Sequence, residues 1–306
     1  MSWTWYLLLL IPLGYVGLLF LVAWFSVHPR RLPIFLSPGS LGTAQESVEI
    51  ASEGDIKLAG WWVERPESEV VCLLCHGYIM NRSEPAPLAA YLYHLGLSSL
   101  LFDFRAHGKS GGNKTGLGWS EREDVRAAVL WIRERRPGAK IVIFGSSMGG
   151  AAAALAVGEE PDLADALVLD SAYSKLSEAV NGWWRFLGGK GLAAALRPTI
   201  FFSTLMVDFN PKHVDVAEAL VKLKGKPILI LHGDKDDLAV PADALRNLAA
   251  AGERARLVWF EGCGHSEGRW MHPARYHQEL LSFLQESGFV PDSPKSSISP
   301  VADVVQ

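Results

Sequence analysis

Hydrophobic and polar positions along the chain fall into distinct regimes. From Trp3 to Val27 no residue carries a charge. About 25 residues at a helical rise of ~1.5 Å exceed the roughly 30 Å hydrocarbon core of a bilayer, so this stretch predicts a tilted membrane-spanning helix. Beyond it the pattern shortens. Runs at 47–51 and 57–63, separated by Glu53-Gly54-Asp55, predict a hairpin. Apolar runs at 70–74, 98–102, 140–144, 166–169, 227–231 and 255–260 then follow, and helical patterns such as 86–95, 121–135 and 242–251 separate most of them. Strand alternating with helix predicts an α/β domain built on a mostly parallel, doubly wound sheet.

The flanks of the first regime support an anchor, residues 1–30. Trp3, Trp5 and Tyr6 at one end and Trp24 and Phe25 at the other sit where interfacial aromatic belts belong, and such helices tolerate Pro12, Gly14 and Gly17. A cleaved signal peptide is the competing reading, but no basic segment precedes the stretch and no small-x-small site precedes His28. Arg30 and Arg31 follow it, so the positive-inside rule places the large C-terminal part on the cytoplasmic side. Residues 31–45, with Pro33, Pro38, Gly39 and Gly42, read as an irregular linker. The main domain is expected over 46–287, interrupted by an apolar, partly helical lid insertion at about 173–212. Residues 288–306, rich in Pro and Ser, read as a disordered tail.

Chemistry is concentrated where the run 140–144 passes into helix formers with almost no loop. Gly145-Ser146-Ser147-Met148-Gly149 spells G-x-S-x-G, the nucleophile elbow that lifts a serine Oγ above a sheet at a helix N-terminus. The competing reading is a tight turn with an unemployed serine, and further residues decide between them. A serine hydroxyl needs a histidine to take its proton, and that histidine needs a carboxylate to fix its tautomer. The run 227–231 is followed by His232-Gly233-Asp234-Lys235-Asp236-Asp237, and the run 255–260 by Gly262-Cys263-Gly264-His265. The predicted set is Ser147, Asp236 and His265. An oxyanion hole would use the backbone N–H of Met148, directly after the nucleophile, and of Tyr78, in the turn His76-Gly77-Tyr78. Within the insertion, Trp183, Trp184 and Phe186 are candidates for an acyl pocket, because ligands of open α/β sheets bind beyond the carboxyl ends of the strands. These aromatics could equally fill the insertion's own core.

With 306 residues, 49% of them hydrophobic, the chain suits one large domain plus an appendage. Its net charge of -4 and lack of a basic block give no reason to propose a nucleic-acid partner. Cys72, Cys75 and Cys263 read as free buried thiols, without the ligand pattern of a metal site. No G-x-G-x-x-G follows the first strand of a βαβ unit, so no cofactor is called.

From 48 to 284 the chain resembles the α/β-hydrolase superfamily, in particular its serine aminopeptidase-like and monoacylglycerol-lipase-like branch. The resemblance is carried by His76-Gly77-Tyr78, by Asp103-Phe104-Arg105-Ala106-His107-Gly108-Lys109-Ser110, by the elbow, by His232-Gly233 through Pro241, and by Gly264-His265. It implies the α/β-hydrolase fold with a helical lid, and the order serine, aspartate, histidine is that of these enzymes. The family's acid stands three residues after the glycine, at Asp236. One residue more than usual separates it from Val240-Pro241, and Asp237, which keeps that second spacing, is the alternative acid. Asp234 is a poorer candidate, and Asp170 holds the acid position of a minority of relatives. Asp103, Arg105 and His107 are structural in the family, and His76 is read as a brace. Together with the uncharged stretch and the apolar insertion, the resemblance leads to the expectation of a membrane-anchored serine hydrolase acting on small-molecule or lipid-like carboxylic esters. The alternatives are a peptidase or amidase of the same fold and a catalytically silent membrane-tethered binding protein.

Overall fold

The computed structural model describes residues 3–292 apart from 208, 209 and 224, and only the backbone of residues 3–9. The expectations for residues 293–306 and for the side chains of Trp3, Trp5 and Tyr6 lie outside the described residues. Eight strands form one sheet: β1 (Glu46–Ser52), β2 (Ile56–Val63), β3 (Val70–Cys75), β4 (Ser98–Phe102), β5 (Lys140–Ser146), β6 (Ala166–Asp170), β7 (Ile228–Gly233) and β8 (Ala255–Phe260). Their spatial order is β1-β2-β4-β3-β5-β6-β7-β8. β2 runs antiparallel to both neighbours, and every other pairing is parallel. The helices are α1 (Trp3–Val27), α2 (Ala86–His94), α3 (Glu121–Arg135), α4 (Met148–Glu159), α5 (Leu176–Leu196), α6 (Thr199–Thr204), α7 (Val216–Val221), α8 (Pro241–Ala251), α9 (Gly268–Met271) and α10 (Pro273–Glu286).

The strands read as unbroken apolar runs because helices cover both faces of the sheet. In β3, Val71, Leu73 and Cys75 point into one core with side chains of α3 and α4, while Val70, Cys72 and Leu74 point into the other with α2 and α10. All three cysteines are free and buried. α4 packs tightly on the sheet because its inward positions are Gly150 and alanines, and a Cβ at Gly150 would come within 2.9 Å of the Gly145 carbonyl oxygen.

The insertion between β6 and β7 holds α5, α6 and α7. Its ends meet at a bridge between Lys175 and Asp215, whose charged groups lie 3.3 Å apart. α5 is two helices joined at Gly188 and Gly189, and Gly189, at φ 74°, takes a conformation that favours glycine.

The loop after β4 has the bracing role expected of it. Arg105 grips buried Asp124 through Nε and Nη2, and Asp103 accepts from the backbone N–H groups of Arg82 and Lys109. Gly108 is required there, since its φ is 45° and a Cβ would overlap the Asp103 carboxylate at 2.2 Å. His107 donates from Nδ1 to the Arg105 carbonyl at 2.8 Å, and burial pushes its pKa down to about 3. A histidine held neutral in the fold but free to protonate when unfolded stabilises the protein above the unfolded pKa. That contribution is lost as pH falls from about 6.5 toward the folded value. Between pH 7 and pH 5 the loss from His107 is about 2 kcal/mol. Urea unfolding in detergent at the two pH values should show a His107→Gln variant losing less stability on acidification than the parent by about that amount.

Candidate active site

The elbow has the strained geometry that the short strand-to-helix passage demands. Ser147 sits at φ 49° and ψ −114°, at the N-terminus of α4. Such a conformation costs a non-glycine residue on the order of 1–3 kcal/mol and persists only where its surroundings hold it. Here the Ser147 N–H donates to the Asp170 carbonyl at 2.8 Å. Its small neighbours are obligatory, for a Cβ at Gly145 would lie 2.4 Å from Gly150 Cα and one at Gly149 2.5 Å from the carbonyl oxygens of Cys75 and His76.

Parallel strands deliver the partners to the same edge of the sheet. Ser147 Oγ lies 2.8 Å from His265 Nε2, and His265 Nδ1 lies 2.8 Å from Asp236 Oδ2. Asp236 is buried, and its second oxygen accepts from the N–H groups of Leu238 and Ala239 at 2.9 Å. A carboxylate that accepts from Nδ1–H leaves Nε2 free to accept the serine proton. Asp237 is exposed and makes no such contact. Asp170 is engaged by the Tyr276 hydroxyl at 3.0 Å, and Asp234 accepts from the Gly262 N–H at 2.7 Å. His232 reaches the Ala239 carbonyl at 2.7 Å and so braces the acid loop.

The two residues expected to supply oxyanion donors border the same space. Tyr78 and Met148 both line the cavity beside Ser147, and neither backbone N–H has an acceptor among the described residues. His76 explains the shape of the turn. Its Nδ1 donates to the Gly77 carbonyl at 2.7 Å, its Nε2 accepts from the Phe104 N–H at 3.0 Å, and burial holds it below the usual imidazole range. Gly77 is not forced by crowding, because its nearest Cβ contacts would be an ordinary 3.6 Å. The strain falls instead on Ile79, a β-branched residue at φ 59°.

A buried charged cluster behind Ser147 escaped the sequence. Arg269 Nη2 donates to Glu84 Oε1 at 2.8 Å and to Ser146 Oγ at 2.7 Å, and its Nε donates to the Ser266 carbonyl at 3.2 Å. The other Glu84 oxygen accepts from the Gly77 N–H at 2.7 Å. One guanidinium thus ties the turn at Gly77, the elbow and the histidine loop together, and the acidic groups around Arg269 outweigh burial and keep its pKa above the usual value. Arg269→Met leaves the Glu84 carboxylate buried without its partner. The expected cost is about 3–5 kcal/mol of stability, read as a lowered unfolding midpoint that a further Glu84→Gln substitution partly restores.

Over Ser147 lies a cavity of about 610 Å³ with an almost wholly apolar lining. Trp183 and Trp184 line it as expected. Phe186 does not: it is 60% exposed and lies outside the cavity, because two positions after Trp184 the helix has turned about 200°.

A profile of the family described as serine aminopeptidase, S33, matches residues 66–204. An uncharacterized protein of Mycobacterium tuberculosis is 31% identical over 269 residues, which cover 84% of this chain and 88% of that one. The chain belongs to the serine aminopeptidase-like family of α/β-hydrolases. Protein bem46 of Schizosaccharomyces pombe is 23% identical to this hydrolase over 82% of its length and 80% of the yeast chain. Among solved structures, the esterase Pf2001 of Pyrococcus furiosus superposes on the hydrolase with a TM-score of 0.71 at 26% identity, covering 85% of this chain and 98% of the other.

Proposed function

We propose that this hydrolase is a membrane-anchored serine esterase that cleaves carboxylic esters with lipid-like acyl chains through an acyl-enzyme. The observation that carries the reading is the unbroken relay Ser147 Oγ, His265, Asp236 at the floor of an apolar cavity. Ser147 Oγ attacks the ester carbonyl while its proton passes to His265 Nε2, and Asp236 stabilises the imidazolium. The N–H groups of Tyr78 and Met148 stabilise the tetrahedral oxyanion, aided by the N-terminus of α4. Collapse expels the alcohol, which takes the proton back from Nε2. Water, deprotonated by His265, then attacks the acyl carbon, and collapse of the second tetrahedral intermediate breaks the bond to Ser147 Oγ, which takes the proton back from Nε2 as the carboxylic acid leaves.

An ester is favoured over the free N-terminus of a peptide by the charge of the lining. Its one acidic residue among the described residues is Glu84, and that carboxylate is already taken by Arg269, Ser146 and the Gly77 N–H, leaving no counter-ion for an α-ammonium group. A purely binding role would not require the relay. α1 contains an 18-residue window, Leu10–Val27, apolar enough to cross a membrane, and we place the catalytic domain on the cytoplasmic side. Arg31 is occupied by the backbone carbonyls of His107, Gly108, Ser110 and Gly112, so the topological argument falls mainly on Arg30.

The test is kcat/KM on p-nitrophenyl esters of rising chain length. Each additional buried methylene is worth about 0.8 kcal/mol, or roughly fourfold, so activity should climb from acetyl into the medium-chain range. A Trp183→Ala/Trp184→Ala double variant should flatten the climb. Activity that peaks at acetyl and falls with length would refute the lipid-like acyl group, while failure of a fluorophosphonate to label the protein would refute the serine mechanism.

A further inference from the structure

The helix read as an anchor also forms part of the cavity wall. Val22, Phe25, Ser26 and Val27, from the last two turns of α1, line the same space as Trp183 and Ile200 of the lid. Phe25 is 53% exposed and stands at the rim, whereas Val22 is half-buried inside it. This end of the helix is fixed to the domain. The Tyr78 hydroxyl donates to the Ser26 carbonyl at 2.9 Å, and the Thr115 N–H donates to the Val27 carbonyl at 2.9 Å. Carbonyls in the last turn of a helix have no partner within it, so the domain completes α1 at its end.

The contact continues along the helix. Leu19, Ala23 and Val27, spaced four apart, are buried, α1 packs on α6, and the Tyr15 hydroxyl donates to the carbonyl of Ala195, in α5, at 2.5 Å. The remaining face of α1 stays apolar and exposed, and α6 adds Phe201 and Leu205, 62% and 67% exposed, to the uncovered apolar surface. A helix that only located the enzyme would need neither the hydrogen bonds nor a place in the wall.

We propose that α1 is a specificity-determining part of the substrate site, and that the substrate is an ester resident in the leaflet from which α1 emerges, its acyl chain lying along Val22 and Phe25 after entering over the exposed rim at Phe25. The proposal rests on the ester-hydrolase reading of Ser147. It extends to the reaction itself, because Tyr78, to whose backbone N–H the proposed mechanism gives the oxyanion, is tied by its side chain to Ser26 of α1.

The experiment compares the full-length protein in phosphatidylcholine vesicles with Val22→Trp, Phe25→Ala and Leu21→Trp variants, on p-nitrophenyl esters from butyryl to hexadecanoyl. Leu21 is 51% exposed, lies outside the cavity and controls for bulk added to the same helix. Val22→Trp should lower the ratio of long-chain to butyryl kcat/KM by roughly fourfold for each methylene denied a place. Phe25→Ala, which opens the rim, should shift the preference toward longer chains, and Leu21→Trp should keep the parental ratio. Fluorophosphonate labelling of Ser147 in each variant identifies folded protein, and Phe25→Ala carries the test alone if Val22→Trp does not label. Labelled variants that all hydrolyse esters with the parental chain-length profile would overturn the proposal and leave α1 as a tether. Absence of ester hydrolysis at every chain length in the parent would overturn the esterase reading instead.

Discussion

Replacing Ser147 by alanine should lower kcat toward carboxylic esters by about 10⁶-fold and abolish fluorophosphonate labelling. The size follows from how the three side chains act. Once Oγ is gone, His265 has nothing to activate for acyl transfer, and its link to Asp236 contributes only to the fold. The residual rate would come from the N–H groups of Tyr78 and Met148 polarising a bound carbonyl toward water. Stability should hardly change, because alanine meets the same strain at φ 49°. Glycine at this position should be as inactive but more stable by about 1 kcal/mol, because it relieves a conformation that carries strain for any residue with a Cβ. Unfolding midpoints of the alanine and glycine variants separate the chemical role of the side chain from the backbone role of the turn. Labelling that survives in the alanine variant would place the nucleophile elsewhere.

Asp236→Asn should lower kcat by about 10⁴ with KM little changed, while Asp237→Asn should behave as the parent. Asparagine can keep the bonds from the Leu238 and Ala239 N–H groups through its carbonyl oxygen. Its amide nitrogen then faces His265 Nδ1 as a donor, which moves the imidazole proton to Nε2. A protonated Nε2 cannot take the proton from Ser147. Steady-state kinetics on one activated ester measures both variants, and a large loss at Asp237 with none at Asp236 would transfer the role by one residue.

The strands and the relay were legible because both are local in sequence. Each strand is a short apolar run bounded by turn residues, and Ser147, Asp236 and His265 each follow one closely. Between Asp236 and Asp237 spacing alone did not decide. The geometry favours Asp236, whose Oδ2 lies 2.8 Å from His265 Nδ1, while Asp237 is left in solvent. The clamp behind the elbow left no signal of that kind, because Glu84 and Arg269 stand 185 positions apart and nothing near either residue announces the other. Phe186 misled because a cluster of aromatics shows an apolar helix but not which residue turns inward. The same holds for α1, where apolar side chains on every face hide the few that meet protein.

The seat of α1 changes the quantity that governs turnover. The chain leaving the helix is held by Arg31 on four carbonyls and by Asn81, whose side-chain amide donates to the carbonyls of Leu32 and Pro33 at 3.1 Å. Where α1 anchors the enzyme as proposed, a catalytic domain fastened in this way does not swing on a leash above the bilayer, and its mouth stays at one depth. Encounter becomes a search in two dimensions, and saturation is set by the mole fraction of ester in the surrounding lipid rather than by its concentration in the total volume. Adding inert phospholipid at constant bulk ester should therefore slow the enzyme, whereas adding buffer should not.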